Sequence, residues 1–386
     1  MRAMTELTPE QLYRPGLEDV PACKSSVSFV DGEIGILDYR GYRVEDLCKQ
    51  STFEETTYLL IFGKLPSRSE LDNFQQRIKS CQKLSPDIIN TIKSLPKSTH
   101  PMTMLQSMVA VVGANTEVHN LKDEQKNIFD MVNIIAKIPT IIAYFDRYRK
   151  GLTFIEPNLE LPIANNFLYM LTGNMPNEGH AHLFDVCLIL HAEQTLNAST
   201  FSTRVTASTL NNPYTSLSAG VGTLYGPLHG GANEQVLKML DKIGSVENVR
   251  PYVEERISKK EKIMGVGHRV YKTKDPRAVV LQELALKLFQ NETKSHGLLN
   301  IAFELEKVIY EKMASKGIYP NVDFYSGIVY NKIGIDTDLF TPVFAIARSS
   351  GWCAHWFEQI KDNRLFRPEQ IFTGVRGLVY IPIEKR

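Results

Sequence analysis

Apolar residues recur three and four positions apart along most of the chain, and strand-like alternation is concentrated in one place. That place is residues 27–39, Val-Ser-Phe-Val-Asp-Gly-Glu-Ile-Gly-Ile-Leu-Asp-Tyr, which predict a small hairpin turned at Asp31-Gly32. Helices are expected from there on. Phe53 to Phe62 is apolar at helical spacing and stops at Gly63, Ser67-x-x-Glu70 reads as a capping box, and Ser85-Pro86 opens another helix. Met102 to Val112 is nearly all apolar and predicts a buried helix. Asp123 to Tyr148 predicts a long helix kinked at Pro139. Residues 178–210 predict a second long helical stretch, with Leu183, Val186, Cys187 and Leu190 on its inner face. Residues 214–225 are rich in small side chains and predict a helix packed closely on neighbours, within the chain or across a subunit interface. Further helices are expected near 232–243, 249–264, 276–290, 297–316 and 341–361, before an irregular basic tail with Arg364, Arg367 and Arg376. Helices with short connections and one hairpin make an all-α fold.

The totals narrow the function. A chain of 386 residues exceeds one ordinary core, so two domains are expected. Lys+Arg 44 against Asp+Glu 43 leaves a net charge of +1, so no global field draws in nucleic acid or an anionic membrane. Anions would have to be bound by a few placed arginines. The five cysteines are odd in number, widely spaced and without a C-x-x-C pair, which argues for a reducing compartment and against a disulfide or zinc framework. The N-terminal stretch is acidic and lacks an apolar segment, and the run from Ile134 to Tyr144 is interrupted by Lys137 and Pro139 and too short to span a bilayer. A cytoplasmic protein is expected.

Several stretches carry chemistry. In Gly226-Pro-Leu-His-Gly-Gly-Ala-Asn-Glu-Gln235, His229 is pinned between a proline turn and a glycine pair, with a helix beginning at once. The positive end of that helix disfavours imidazolium, leaving a neutral ring able to donate to a carbonyl or an enolate. The alternative is a plain loop histidine. In Met264-Gly-Val-Gly-His-Arg-Val-Tyr-Lys-Thr-Lys-Asp-Pro-Arg277, His268 follows a Gly-x-Gly turn whose amides are expected to be free for a ligand. Asp275 caps the next helix, and basic residues at 269, 272, 274 and 277 form a compact anion site or a solvated basic turn. Neither G-x-G-x-x-G nor a Walker loop is present. Asp323 lies among Tyr319, Pro320, Val322, Phe324 and Tyr325, surroundings that raise a carboxyl pKa toward that of a usable base, unless it serves only as a cap. Arg348 stands in an apolar helix and needs an anionic partner, structural or substrate. Arg367 is fixed by the following proline, and His191 lies on a helix. His180-x-His182 lacks a third metal ligand nearby, Asn197-Ala-Ser and Asn291-Glu-Thr match a glycosylation pattern irrelevant in a cytosol, and Lys259-Lys-Glu-Lys262 is a solvated face.

Taken together and in order, these stretches resemble citrate synthases. The matching motifs are H-A-E-x-T-L-N-A-S at 191–199, G-P-L-H-G-G-A-N at 226–233, G-x-G-H-R-V-Y-K-x-x-D-P-R at 265–277, Y-P-N-V-D at 319–323 and A-R-x-x-G-W-x-A-H-W at 347–356, with F-x-D-G-x-x-G-I-L-x-Y-R-G-Y at 29–42. The resemblance spans residues 15–386 and is to the shorter prokaryotic form, without an organellar leader or long N-terminal β domain.

That resemblance implies a large domain, 1–228 and 330–386, and a small domain, 229–329, with the active site in the cleft between them. It implies that His229 holds an enolate, His268 is the second catalytic histidine and Asp323 the base. Oxaloacetate would meet His191, Arg277, Arg348 and Arg367, the last donated across a homodimer interface. Coenzyme A would lie along Lys262, Ile263, Met264, Gly265, Val266 and Gly267, with Lys272 at a phosphate. The implied reaction condenses acetyl-CoA with oxaloacetate and water to citrate and CoA, with no metal, no nucleic acid and no membrane partner. Two alternatives use the same fold: a 2-methylcitrate synthase acting on propionyl-CoA, and a non-catalytic dicarboxylate or CoA sensor.

Overall fold

The hairpin forms where the alternation predicts it. In the computed structural model, which describes residues 8–268, 270–289 and 297–386, β1 (Ser28–Asp31) pairs antiparallel with β2 (Ile36–Tyr39), Asp31 opposite Ile36. A third strand, β3 (Tyr42–Arg43), adds to β2 and was not expected. The Asp31 carboxylate accepts from the amides of Glu33 and Ile34, which sets the turn. Outside the described residues lie the N-terminal stretch through 7, Arg269, the last position of the helix expected to reach 290, and the Asn291-Glu-Thr pattern.

Seventeen α-helices account for nearly all remaining regular structure among the described residues, so the fold is all-α as expected. The local signals act as read. Gly63, with φ 78°, closes the Phe53–Phe62 helix. Both halves of the capping box form, Glu70 N–H donating to Ser67 Oγ and Ser67 N–H to the Glu70 carboxylate. Pro86 and Pro101 occupy first turns of their helices.

Three expectations are corrected. The Glu124–Arg149 helix runs through Pro139 as one element. By length and composition it is therefore able to cross a membrane, contrary to the reading of its apolar run, but 89% of its apolar window is buried inside the protein. The stretch 178–210 is two helices, Glu178–His191 and Ala198–Ala207, parted by a six-residue break in which Thr195 takes φ 46° and Asn197 caps the second helix. The helix expected over 249–264 ends at Ser258. Helices at Val44–Gln50, Ile163–Thr172 and Val322–Lys332 were not foreseen.

The chain divides into two units. The larger, 25–364, holds the core, in which the Glu124–Arg149 helix packs against Phe340–Lys361, Arg68–Cys81 and Ile163–Thr172. The small-residue helix, Pro213–Leu224, lies against Ala198–Ala207 and Pro101–Ala114. In the smaller unit, residues through 24 and 365–386, the tail is irregular up to a 3-10 turn at Ile383–Lys385, where the Arg386 guanidinium sits over the Tyr380 ring.

Lys137, one of the two residues that interrupt the central helix's apolar run, donates its ammonium to the carbonyls of Cys81 (2.5 Å) and Lys83 (3.0 Å), closing the end of the Arg68–Cys81 helix. Lys137→Ala should lower the unfolding free energy by about 1–3 kcal/mol, since two carbonyls lose their donor. Urea denaturation of both proteins measures it, and an unchanged midpoint would show that this cap contributes nothing.

Candidate active site

His229 sits in the turn that joins Pro213–Leu224 to Ala232–Ile243, its amide donating to Gly226 O and that of Gly230 to Leu224 O. Its Nε2 meets the first turn of the Ala198–Ala207 helix: the Ser199 amide donates to it at 3.3 Å, and the Ser199 hydroxyl lies at 2.8 Å. A backbone amide can only donate, so Nε2 is an acceptor and the ring's proton is on Nδ1. The Trp352 indole in turn donates to Ser199 Oγ, holding the partner in place. Burial first, then the Arg348 charge, push the His229 pKa down to about 4. The ring is therefore neutral, as expected, but the leading cause is burial rather than the helix that follows it. The helix N-terminus that engages it belongs to Ala198–Ala207.

His268 is fixed the opposite way round. The amides of Val270 (3.0 Å) and Tyr271 (3.2 Å) donate to Nδ1, so the neutral ring carries its proton on Nε2, and the Tyr271 ring packs 4.7 Å away. Burial, then Arg277, lower its pKa to about 4.

Asp323 is in the first turn of Val322–Lys332, capped by Asn321, whose Oδ1 accepts from the Asp323 amide. The capping alternative therefore falls to Asn321. Oδ1 of Asp323 is sealed from solvent and without a hydrogen-bond partner. Burial raises its pKa to about 6, with Arg277 and Arg348 opposing the rise and Asp275 adding to it.

Arg277 and Asp275 form a buried bidentate pair, Nε and Nη2 to the two carboxylate oxygens at 3.0 and 2.8 Å. Asp275 also accepts from the amides of Arg277 and Val322, so it joins the Arg277 helix to the Asp323 helix. Arg348 is 1% exposed in the Phe340–Lys361 helix, its Nε donating to His191 O at 2.8 Å and its guanidinium 4.9 Å from the Phe344 ring. Burial lowers its pKa to about 10, with Glu193 supporting the charge, so it is a cation at neutral pH. Glu193 lies in the break after Glu178–His191, accepts from Ser28 Oγ and His355 Nε2, and leaves Oε2 without a partner. His191 donates Nδ1–H to Cys187 O at 2.7 Å, leaving Nε2 buried and unpartnered. Burial is the main reason that its pKa falls to about 3.

One set of charges ties these groups together. Arg348 acts on His229, and Arg277 on His268, while both act on His191 and on Asp323. His191, His229, His268 and Asp323 thus each lie within electrostatic reach of Arg277, Arg348 or both.

The other expected positions are laid out as follows. Gly265–Gly267 is not a ribbon of free amides: Gly267 N–H donates to Tyr319 O, Asn321 N–H donates to Gly265 O, and Val266 bridges to Pro320. Asn321 Nδ2 donates to Gly267 O, so this segment is stitched to the Asp323 helix start. Lys262, Met264 and Lys272 are exposed and Ile263 is buried. Arg367 is exposed in the irregular tail of the smaller unit. Ser199, Glu193 and Trp352 belong to the site's framework and were not singled out from sequence, although each lies inside a motif that was. A recess of about 530 Å³ lies away from these residues, lined by Lys83, Asn115, His119, Lys126 and Asp130. Among the described residues no group of three metal-ligating side chains occurs.

The family model described as "Citrate synthase, C-terminal domain" matches residues 16–369. The citrate synthase of Synechocystis is 52% identical over 380 residues, covering 98% of this chain and 96% of that protein. The solved citrate synthase of Pyrobaculum aerophilum superposes with a TM-score of 0.91 at 39% identity, covering 96% of this chain and 95% of the other. That of Thermoplasma acidophilum, a ternary complex with carboxymethyl coenzyme A and oxaloacetate, gives 0.91 at 33%, covering 96% and 99%. The chain belongs to the citrate synthase family.

Proposed function

We propose that this chain condenses acetyl-CoA with oxaloacetate and water to give citrate and CoA, the step that brings two carbons into the tricarboxylic acid cycle. The observation that carries the reading is the proton inventory of three side chains: a carboxylate with an unpartnered oxygen at Asp323, an Nδ1–H at His229 and an Nε2–H at His268. A Claisen condensation needs one base and two donors, and this set supplies them. In this reading Asp323 takes a methyl proton from acetyl-CoA while His229 Nδ1–H donates to the forming enolate oxygen. The enolate carbon attacks the ketone of oxaloacetate, and His268 Nε2–H delivers a proton to that oxygen. Water then cleaves the thioester of citryl-CoA, releasing citrate and CoA.

The buried cations Arg277 and Arg348 match a dicarboxylate, since neither is fully spent on protein carboxylates. We also assign His191, whose neutral ring leaves Nε2 unpartnered, to the oxaloacetate pocket. We assign coenzyme A to residues 262–267 and Lys272, and a third carboxylate contact to Arg367 from a second copy of the chain. We further read 229–329 as a small domain that closes on 1–228 and 330–386. On this reading the enzyme is a cytoplasmic homodimer with no resident metal. The relatives are named for citrate synthesis, and the residue set offers nothing that favours propionyl-CoA or a non-catalytic sensor.

Asp323 accepts a proton only as a carboxylate. Its pKa of about 6 in the folded enzyme means that the base is present above that pH and lost below it. kcat/KM should fall about tenfold per pH unit below about pH 6. His229 and His268, near 4, stay neutral through that window. A pH series of CoA release reads this out, and a flat profile down to about pH 5 would remove Asp323 as the base.

Asp323→Ala should cut kcat by about 10²–10⁴ with the KM for oxaloacetate changed far less. A variant within threefold of wild type in the same thiol assay would end the assignment.

If Arg367 serves the partner's site, Asp323→Ala and Arg367→Ala homodimers are both nearly inactive, yet subunit mixing rebuilds one intact site per mixed dimer. Refolding the two variants together in equal amounts should recover about a quarter of wild-type activity. No recovery beyond the sum of the parents would place Arg367 in its own subunit's site or in none.

A further inference from the structure

The hairpin has no part in the mechanism above, yet both of its ends grip the machinery. At the base, Ser28 Oγ donates to the Glu193 carboxylate and accepts from Thr195 N–H, and the Tyr39 hydroxyl accepts from Glu193 N–H. Those bonds hold the break that carries Glu193, immediately after His191. At the tip, Lys272 N–H donates to Gly32 O at 2.9 Å. A Cβ added to Gly32 would stand 2.1 Å from the Val270 carbonyl oxygen, and one added to Gly35 would stand 2.8 Å from Thr273 Cγ2. Gly35, with φ +71°, is required by its backbone as well. Gly32 is not in the left-handed region, so the approach of the Val270 carbonyl is what excludes a side chain there.

The loop touched by the tip is the one that sets His268, since the amides of Val270 and Tyr271 are the donors to Nδ1. We propose that Gly32 is a positioning residue for the second catalytic histidine: the hairpin tip clamps residues 270–273, and with them the two amides that keep the His268 proton on Nε2. The proposal rests on the reading of His268 as a proton donor. The tip belongs to 1–228 and the loop to 229–329, so the clamp is made only where those two segments meet. Closure and the correct His268 tautomer thereby become one event.

The test uses the full-length enzyme. Gly32→Ala should lower kcat/KM for oxaloacetate about tenfold to a hundredfold, with the thermal midpoint moved by no more than about 4–8 °C. Glu33→Ala, in the same turn with its side chain in solvent, should keep wild-type rate and stability. Spectra of 15N-histidine-labelled protein report the tautomer directly: a protonated Nε2 on His268 in the wild type, and a mixture of tautomers in Gly32→Ala. The His268 signal is identified by its loss in His268→Gln. Should Gly32→Ala fail to fold, Gly35→Ala alone and with Thr273→Ser probes the same clamp, because the serine lacks the methyl group in the way, and the pair should recover part of the lost rate. Unchanged His268 signals in Gly32→Ala, or equal losses in Gly32→Ala and Glu33→Ala, would overturn the clamp. Wild-type rate in His268→Gln would instead overturn the donor reading, and the tautomer measurement would still decide the clamp.

Discussion

Arg348 is a permanent cation almost wholly buried in an otherwise apolar helix, and much of the site follows from that one constraint. A charge there costs several kcal/mol unless something compensates it. The protein compensates it only in part. One carbonyl, His191 O, takes Nε, and Glu193 supplies opposite charge while its Oε1 serves both Ser28 and His355. Arg277 differs in being matched by Asp275 through two hydrogen bonds, and burial, which would weaken its charge, is more than offset by Asp275 together with Tyr271 and Tyr39. The chain's net charge is close to zero, so the positive potential at this place owes nothing to the surface at large. It comes from an interior cation left incompletely paired, which is a condition for holding a dianion tightly.

The second constraint is the backbone. Three imidazoles have one nitrogen committed to main chain: His229 accepts from Ser199 N–H, His268 accepts from Val270 and Tyr271 N–H, and His191 donates to Cys187 O. Peptide groups do not titrate, so these bonds dictate which nitrogen of each ring faces the site and whether it carries a proton. Burial beside two arginines keeps all three neutral. Donor capacity at His229 and His268 and acceptor capacity at His191 are therefore built into helix ends and a loop rather than left to solution pH.

Much of this was legible in the chain. The periodicities and caps gave most of the helices, because caps and glycine stops act locally. The roles of the six central residues could be carried over from ordered motifs once the resemblance was seen. What escaped was non-local. The break at 192–197 is held by the hairpin, through Ser28 and Tyr39, in a stretch read from the sequence as one helix. The Gly-x-Gly turn before His268 gives free amides only if nothing pairs with them, and Tyr319 lies 52 positions away in sequence from Gly267. Ser199 looks like any helix-start serine until His229 arrives above it. Arg367 falls in the unit formed by the two ends of the chain, and its sequence signal is a proline that fixes its backbone, with nothing to name its partner.

On the proposed reading of Asp323 as the base, these constraints combine at one carboxylate. Burial pushes the Asp323 carboxyl up, and a carboxyl that kept its proton at neutral pH could not abstract one. Arg277 and Arg348 hold it near 6, where it is ionised at neutrality yet about two orders of magnitude more basic than an ordinary aspartate. A dianion bound to the same arginines would cancel the charges that restrain it. With Oδ1 still shut off from solvent and that restraint gone, its affinity for a proton would rise. The same electrostatics that binds the first substrate thus prepares Asp323 for the weakly acidic methyl group of the second, and until then keeps it from holding a proton that would silence it.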